Sequence, residues 1–246
     1  IALSGFYGAR NLGDDLIMES IAGSIERQVK GAQVAIVAQS PGTVELAFGR
    51  QAVARTRHHE VDALVAKSDA FVLGGGGLWH DYTFRKAGGI RSLATGATMS
   101  IGGVGIAGML ANIRGIPFHV VGLGVGPLTD PEAGQLVRYV AKMTDSLMVR
   151  DTGSLDLLKW AGVPENRVSV DPDVVYALDL AGEASAELAA LSDTHFVLGL
   201  NLRPWDRGDV PISALIDQIA QSVRSFAAGL DKPLALVLLP MQEGAS

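Results

Sequence analysis

Apolar residues fall along the chain in short continuous runs, separated by longer stretches in which they recur at helical spacing. "IALSGFY" (1–7) reads as a buried strand, and residues 14–29 as a helix with Ile17, Ile21 and Ile25 one turn apart. "AQVAIVA" is a second strand, "HHEVDALVAKS" a helix, and "DAFVLGGGG" a strand that ends in glycines. "GATMSIGGVGIAGMLANI" (96–113) predicts a buried helix; it is glycine-rich and sits at the short edge of what spans a bilayer. "IPFHVVGLGVGPL" repeats the strand-to-glycine design, and a helix follows from Asp130 with Pro131 in its first turn. "SLMVRD" is a short strand, "TGSLDLLKWAG" a helix with a glycine stop, and "RVSVDPDVVYAL" a strand running into an Asp-Pro turn.

Beyond about residue 180 the pattern restarts. "DLAGEASAELAALSD" is an alanine-rich linker and helix; "HFVLGLNLRP", "ISALIDQIAQSVRSFAAGL" and "PLALVLLP" then read strand, helix, strand. Strands alternating with helices imply parallel sheets joined by right-handed crossovers. The expectation is an α/β chain with one Rossmann-like domain over 1–180 and the beginning of a second over 181–246. The sequence opens inside a strand without methionine and stops just after another, so both ends are expected to continue.

Composition narrows the classes. Apolar residues make up 48% of 246, and 30 glycines with few aromatics suit many tight strand-to-helix turns. The absence of cysteine removes disulfides, thiolate zinc sites and cysteine nucleophiles, and favours the cytoplasm. The net charge is −6 with both signs mixed and no basic stripe, which argues against nucleic acid. The histidine spacings do not suggest a metal site.

In an open parallel sheet, ligands bind beyond the carboxyl ends of the strands. The turns there are "GARNLGDD", "GGGGLWHDY", "GLGVGPL", "RD", "DPD" and "NLRPWD". None is a P-loop, and neither Gly5, Gly8 and Gly13 nor Gly122, Gly124 and Gly126 make the dinucleotide fingerprint. Asp14 and Asp15 stand at a helix start, where anions are otherwise welcome. Either they cap the helix, or Asp14 points outward and accepts hydrogen bonds from hydroxyls, as a sugar would offer. Both readings place phosphate elsewhere. The run Gly74–Gly77 lets a ligand approach backbone closely, with His80 and Asp81 immediately after it. His80 is either a proton donor or a cap. His58 and His59 read as solvated and His119 as packed within its strand. Arg150 suits a bidentate oxyanion contact, or pairs with an aspartate while Asp151 caps the next helix. Arg203 is the corresponding cation of the second domain.

Five stretches in register, "GFYGARNLGDD", "FVLGGGGLWHD", "VVGLGVGPL", "LMVRDTGSLDLL" and "VSVDPDVVYAL", resemble the polysaccharide pyruvyl transferase family. "LGLNLRPW" and "LVLLPMQ" resemble the opening strands of that family's second half. The resemblance implies a GT-B-like fold of two Rossmann-like domains, the second incomplete in this chain. It implies transfer of the pyruvyl group of phosphoenolpyruvate to a sugar of a cell-wall, capsule or other exopolysaccharide precursor. A pyruvate ketal forms and phosphate is released. No cofactor is implied, since phosphoenolpyruvate is the donor substrate. The saccharide acceptor is often lipid-linked, which fits work at the inner membrane face without a membrane span; a homo-oligomer is also compatible.

On this resemblance Asn11 and Asp14, with Gly13, fall on the acceptor side, and Arg150 and Arg203 on the donor side. Asp14, His80 and Arg150 are the catalytic candidates. Gly75, Gly76, Gly77, Asp81, Gly124, Gly126 and Asp151 complete the substrate-binding set. His80 stands where the family has Gln or a similar polar residue. Family members carry a further Arg-x-His motif and a later basic residue beyond the point where this chain stops. The alternative is a GT-B glycosyltransferase with a nucleotide-sugar donor; a non-enzymatic saccharide-binding or assembly module is a third reading.

Overall fold

The computed structural model describes residues 1–91, 101–178, 185–202 and 211–239, without the side chains of 102–104. Two compact units divide the chain, Ile1–Asp179 and Leu180–Ser246.

The first unit is built on seven parallel strands: β1 (Ala2–Ser4), β2 (Ala35–Ala38), β3 (Ala52–Ala54), β4 (Phe71–Trp79), β5 (Phe118–Val125), β6 (Ser146–Val149) and β7 (Val168–Val170). Their order is β3-β2-β1-β4-β5-β6-β7. The chain therefore winds outward from β1 in one direction, returns, and winds outward from β4 in the other. The switch lies between β1 and β4, where the chain ends leave a crevice at the carboxyl edge. Among the described residues the helices of this unit are α1 (Leu12–Gln28), α2 (Pro41–Phe48), α3 (His58–Ala66), α4 (Ile101–Ile113), α5 (Pro131–Lys142) and α6 (Thr152–Trp160).

Strand side chains alternate between two cores, as a period of two requires. Ala2, Val37, Phe71 and Leu73 join one cluster with side chains of α3 to α6; Leu3, Ile36, Ala38 and Val72 join the other with Ile17, Met18 and Ile21 of α1. Both faces of the sheet are thus covered, which is why its strands read as unbroken apolar runs. The glycines of α4 bring it close: a Cβ on Gly108 would lie 2.3 Å from the Phe118 ring, and one on Gly105 would lie 3.0 Å from Val140. Residues 96–100 of the predicted buried helix lie outside the described residues; the rest is α4. No helix among the described residues is long and apolar enough to cross a membrane.

Element bounds differ from expectation at three places. The predicted strand 1–7 stops at Ser4, because the chain turns there to bury the Tyr7 ring. The first helix begins at Leu12, since Asn11 accepts from the Gly13 N–H at 3.2 Å and takes the cap position. α2 and β3 were not legible: eight and three residues are too few for a period to show. The second unit contains α7 (Ala186–Thr194), β8 (Phe196–Leu200), α8 (Ile212–Ala227) and β9 (Leu234–Leu238), with β8 and β9 parallel in register from Phe196 opposite Leu234.

One contact fixes the crevice. Tyr7 is fully buried and its hydroxyl donates to the Gly74 carbonyl at 3.0 Å. A Cβ on Gly5 would lie 2.2 Å from the ring, and one on Gly74 2.3 Å from the hydroxyl oxygen. Only glycine on both sides accommodates the ring. Gly74→Ala is expected to destabilise the protein by about 1–3 kcal/mol, the range for overpacking a core. Urea denaturation followed by circular dichroism checks this, and a change below about 0.5 kcal/mol would contradict the packing account.

Candidate functional site

The turn after β1 is organised by the side chains of Asn11, Asp14 and Asp15. Asn11 caps α1 through Oδ1 and donates from Nδ2 to Asp14 Oδ2 at 2.6 Å. Asp15 is buried and its Oδ1 accepts from the Gly8 N–H at 2.8 Å. The helix start is thereby occupied by its own side chains, and Asp14 is the half-exposed carboxylate of the pair. Its Oδ1 lies 2.5 Å from where a Cβ of Gly76 would stand, and Gly76 has φ +78°. The turn after β1 and the glycine run of β4 therefore meet at Asp14 and Gly76, on the two strands that flank the switch.

The glycine run belongs to the strand instead of ending it. Gly76 pairs with Leu123 and Gly77 with Gly124 of β5. A Cβ on Gly75 would strike Ile17 at 2.3 Å, so this glycine admits α1. Gly77 is exposed within an otherwise buried strand and has open space above it. Beside it, the Arg150 guanidinium lies across Gly124, with Nη2 2.9 Å from the position of a Gly124 Cβ. Arg150 follows β6, donates to Asp173 at 2.9 Å through Nη1, and stands 3.8 Å from Asp151. Its side chain remains about one-third exposed. Bare backbone at Gly77 and Gly124 is thus bordered by a cation on one strand and lies one residue from the glycine that meets Asp14.

The remaining predicted residues serve the frame around this floor. Asp81 Oδ2 accepts from the N–H of Thr129, from its hydroxyl at 3.0 Å and from the Asp130 N–H at 2.7 Å, tying the loop after β4 to the loop after β5. Gly126, at φ +121°, admits Leu157 and donates to the Trp79 carbonyl at 2.9 Å. Asp151 caps α6 by accepting from Ser154 at 2.6 Å. His80 is half-buried after β4, with its ring 5.0 Å from that of Tyr82. Gly13 sits in the first turn of α1. Arg203 lies outside the described residues. Among the described residues no group of three or more His, Asp or Glu side chains is placed to hold a metal ion.

Two residues absent from the sequence reading enter the site. Asp173, in the "DPD" turn after β7, orients Arg150; the turn was visible, its partner was not. Arg55 follows β3, donates through Nη2 to the Gly5 carbonyl and lies 5.4 Å above the Phe6 ring. The only signal available was an arginine one residue beyond a three-residue strand.

A seven-stranded parallel α/β unit with a switch between β1 and β4 is a GT-B-like frame. UDP-GlcNAc 2-epimerase from Methanocaldococcus jannaschii is similar, with TM-score 0.60 and 14% identity over 98% of this chain and 66% of that one. The Neisseria meningitidis UDP-GlcNAc 2-epimerase, solved with UDP-GlcNAc, gives 0.55 and 14% over 96% and 64%. The Anabaena HepE protein in complex with UDP gives 0.53 and 10% over 98% and 69%. At these identities the likeness concerns the fold, and the chain spans less than two thirds of the length of either epimerase. No curated protein sequence matches. The model of the polysaccharide pyruvyl transferase family matches residues 11–224, and the chain belongs to that family.

Asp15 generates a pH prediction. Burial raises its carboxyl pKa, partly offset by the Gly8 N–H. A carboxyl raised in the folded state stabilises the fold below its unfolded pKa, and that contribution is lost as pH rises through the folded value. Asp15→Asn keeps an acceptor for Gly8 and removes the titration. Its Tm relative to wild type is expected to rise between about pH 4 and pH 8; a difference constant across that window would refute the assignment.

Proposed function

We propose that the protein transfers the pyruvyl group of phosphoenolpyruvate to a saccharide of a cell-surface polysaccharide precursor, forming a pyruvate ketal and releasing phosphate. The observation that carries this reading is the open backbone at Gly77, beside the Arg150 guanidinium that covers Gly124 and adjoining the Asp14 turn. Membership of the pyruvyl transferase family supports it.

The chemistry asks for two kinds of group. Protonating the methylene carbon of the enol phosphate makes the central carbon electrophilic. A sugar hydroxyl adds there and gives up its proton. The carbon–oxygen bond to phosphate then breaks, and a second hydroxyl closes the ketal with loss of its own proton. One hydroxyl proton makes good the proton added at the methylene carbon and the other leaves on phosphate, so one donor and one diol give ketal and hydrogen phosphate with no redox change. Asp14, held by Asn11, accepts from an acceptor hydroxyl. Arg150, held by Asp173, meets the donor's carboxylate or phosphate; a guanidinium fork suits either. Gly77 lets the reacting carbon approach the sheet edge. His80 is the protonatable group nearest in sequence to this floor. The acceptor reaches the site as a lipid-linked or nucleotide-linked sugar at the inner membrane face.

The second reading, a nucleotide-sugar glycosyltransferase, is favoured by the likeness to enzymes solved with UDP and UDP-GlcNAc. Full-length protein incubated with phosphoenolpyruvate and a panel of lipid-linked and nucleotide-linked sugars separates the two. Phosphate release matched by a pyruvyl gain in acceptor mass is the expected result. Nucleotide-sugar binding without donor consumption would replace the reading by its rival. Arg150→Ala is expected to raise the KM for phosphoenolpyruvate about ten- to a hundredfold, the loss of a charge-assisted contact of roughly 1.5–3 kcal/mol. An unchanged KM would remove Arg150 from the donor pocket.

A further inference from the structure

We propose that Ser20 is a positioning residue for Arg150. Its hydroxyl pins the turn that carries Asp173 to α1, the helix whose first turn holds Asp14, and so fixes where the Arg150 guanidinium stands across Gly124. The inference rests on the reading of Arg150 as the donor-side cation.

Ser20 is out of keeping with its surroundings. It lies in the middle of α1, is 1% exposed, and stands among Ile17, Met18, Ile21 and Ala22, all buried in the apolar cluster on that face of the sheet. Alanine would suit such a position better, since it has the higher helix propensity and no polar atom to bury. A serine inside a helix commonly spends its hydroxyl on the carbonyl one turn back. Ser20 Oγ instead donates to the carbonyl of Val174, 154 residues away. The polar atom therefore serves a contact outside the helix.

The place of Val174 in the chain gives this bond its consequence. After β7, at the edge of the sheet, the chain returns to β5 and α1. A Cβ on Gly122, where φ is +66°, would lie 2.9 Å from Val174 Cγ1, so the bare backbone of β5 admits the valine. Val174 and Val175 also pack against the cluster to which α1 contributes. One residue earlier, Asp173 Oδ1 accepts from the Val175 N–H at 3.2 Å, and Oδ2 accepts from Arg150 Nη1 at 2.9 Å. The Arg150 backbone N–H donates to the Leu123 carbonyl at 3.1 Å. Its main chain is thus set by β5 and its guanidinium by Asp173. The line Ser20, Val174, Asp173, Arg150 joins the two sides of the floor through one helix. Asp14 stands in the first turn of α1, and Ser20 lies about 9 Å further along at the helical rise. A shift of the turn moves the guanidinium relative to Asp14 while the sheet stays in place.

The test separates aim from support. Ser20→Ala removes the hydroxyl with little change of volume. In full-length protein it is expected to lower kcat about three- to tenfold, the range for losing one hydrogen bond, with the KM for phosphoenolpyruvate within about twofold of wild type. An arginine that still meets the donor but is poorly aimed gives that split. Asp173→Ala removes the next link, and adding Ser20→Ala to it should lower kcat no further, because both act through one contact. The Arg150 Nε–H signal, followed by 15N NMR and assigned with Arg150→Lys, should move in Ser20→Ala. It should not move again when Ser20→Ala is added to Asp173→Ala. Ser20→Cys keeps a weaker donor, should fall between, and carries the test where Ser20→Ala does not fold. Losses that multiply in the double variant assign Ser20 to structure and overturn the inference. So does an Arg150 signal unmoved by Ser20→Ala, which leaves pyruvyl transfer standing. A wild-type protein that never consumes phosphoenolpyruvate overturns the function instead, and the Arg150 signal still decides whether Ser20 places the guanidinium.

Discussion

The Tyr7 ring wedged between Gly5 and Gly74 is the contact on which the site depends. It joins the turn after β1 to β4 at the one place in the sheet where the winding reverses. A parallel sheet leaves a crevice there by topology alone. What topology does not fix is the height of the two turns relative to each other. The ring does so, by filling the space that two side chains would take and by spending its hydroxyl on a β4 carbonyl. Asp14 then meets Gly76, Ile17 fits over Gly75, and the strand continues to Trp79 instead of fraying at its glycines. Each of those glycines is present for a neighbour: Gly74 for Tyr7, Gly75 for Ile17, Gly76 for Asp14. Gly77 alone of the four faces open space.

The same turn explains why carboxylates stand at a helix start without serving as its cap. Asn11 performs that task, so Asp15 is released to hold Gly8 and Asp14 to face β4. An incoming phosphate would find the first amides taken and two acidic groups beside them. The anion-binding habit of strand-to-helix turns is therefore cancelled at this position, and a ligand rich in hydroxyls is favoured over one rich in negative charge. A dinucleotide site on the same topology needs the opposite arrangement.

The period of the apolar runs made the sheet legible, because strands covered on both faces have no polar positions to confuse them. The long helices were legible for the same reason at a period of 3.6. α2 and β3 were not, and with β3 went Arg55, whose importance comes only from reaching across two strands. Asp14 and Arg150 were readable as charged residues just after strands, and the glycine run as bare backbone. Their partners were not: nothing in "DPD" says that Asp173 will take Arg150, and nothing in the separation of residues 5 and 55 brings them together. Asp81 illustrates the reverse case. A polar residue after a glycine run reads as a ligand contact, yet its Oδ2 is engaged by three donors of the neighbouring loop. Sequence shows which residues have the chemistry; only the fold shows which have already used it.

That distinction bears on how charge is handled at the carboxyl edge. Arg150 at that edge is answered by an aspartate from a different element, Asp173. On the proposed reading, the donor's carboxylate and phosphate carry more negative charge than Arg150 can match while it is bonded to Asp173. Binding must then either share the guanidinium, whose fork has donors beyond Nη1, or draw the donor's second anionic group towards another cation. Sharing keeps Arg150 aimed across Gly124, because Asp173 continues to hold one end of the fork while the other meets the ligand. An unpaired arginine would bind the donor more tightly and aim it less well. The proposed reaction, which places one carbon between two hydroxyls, would depend on aim, and the Asp173 contact would supply it.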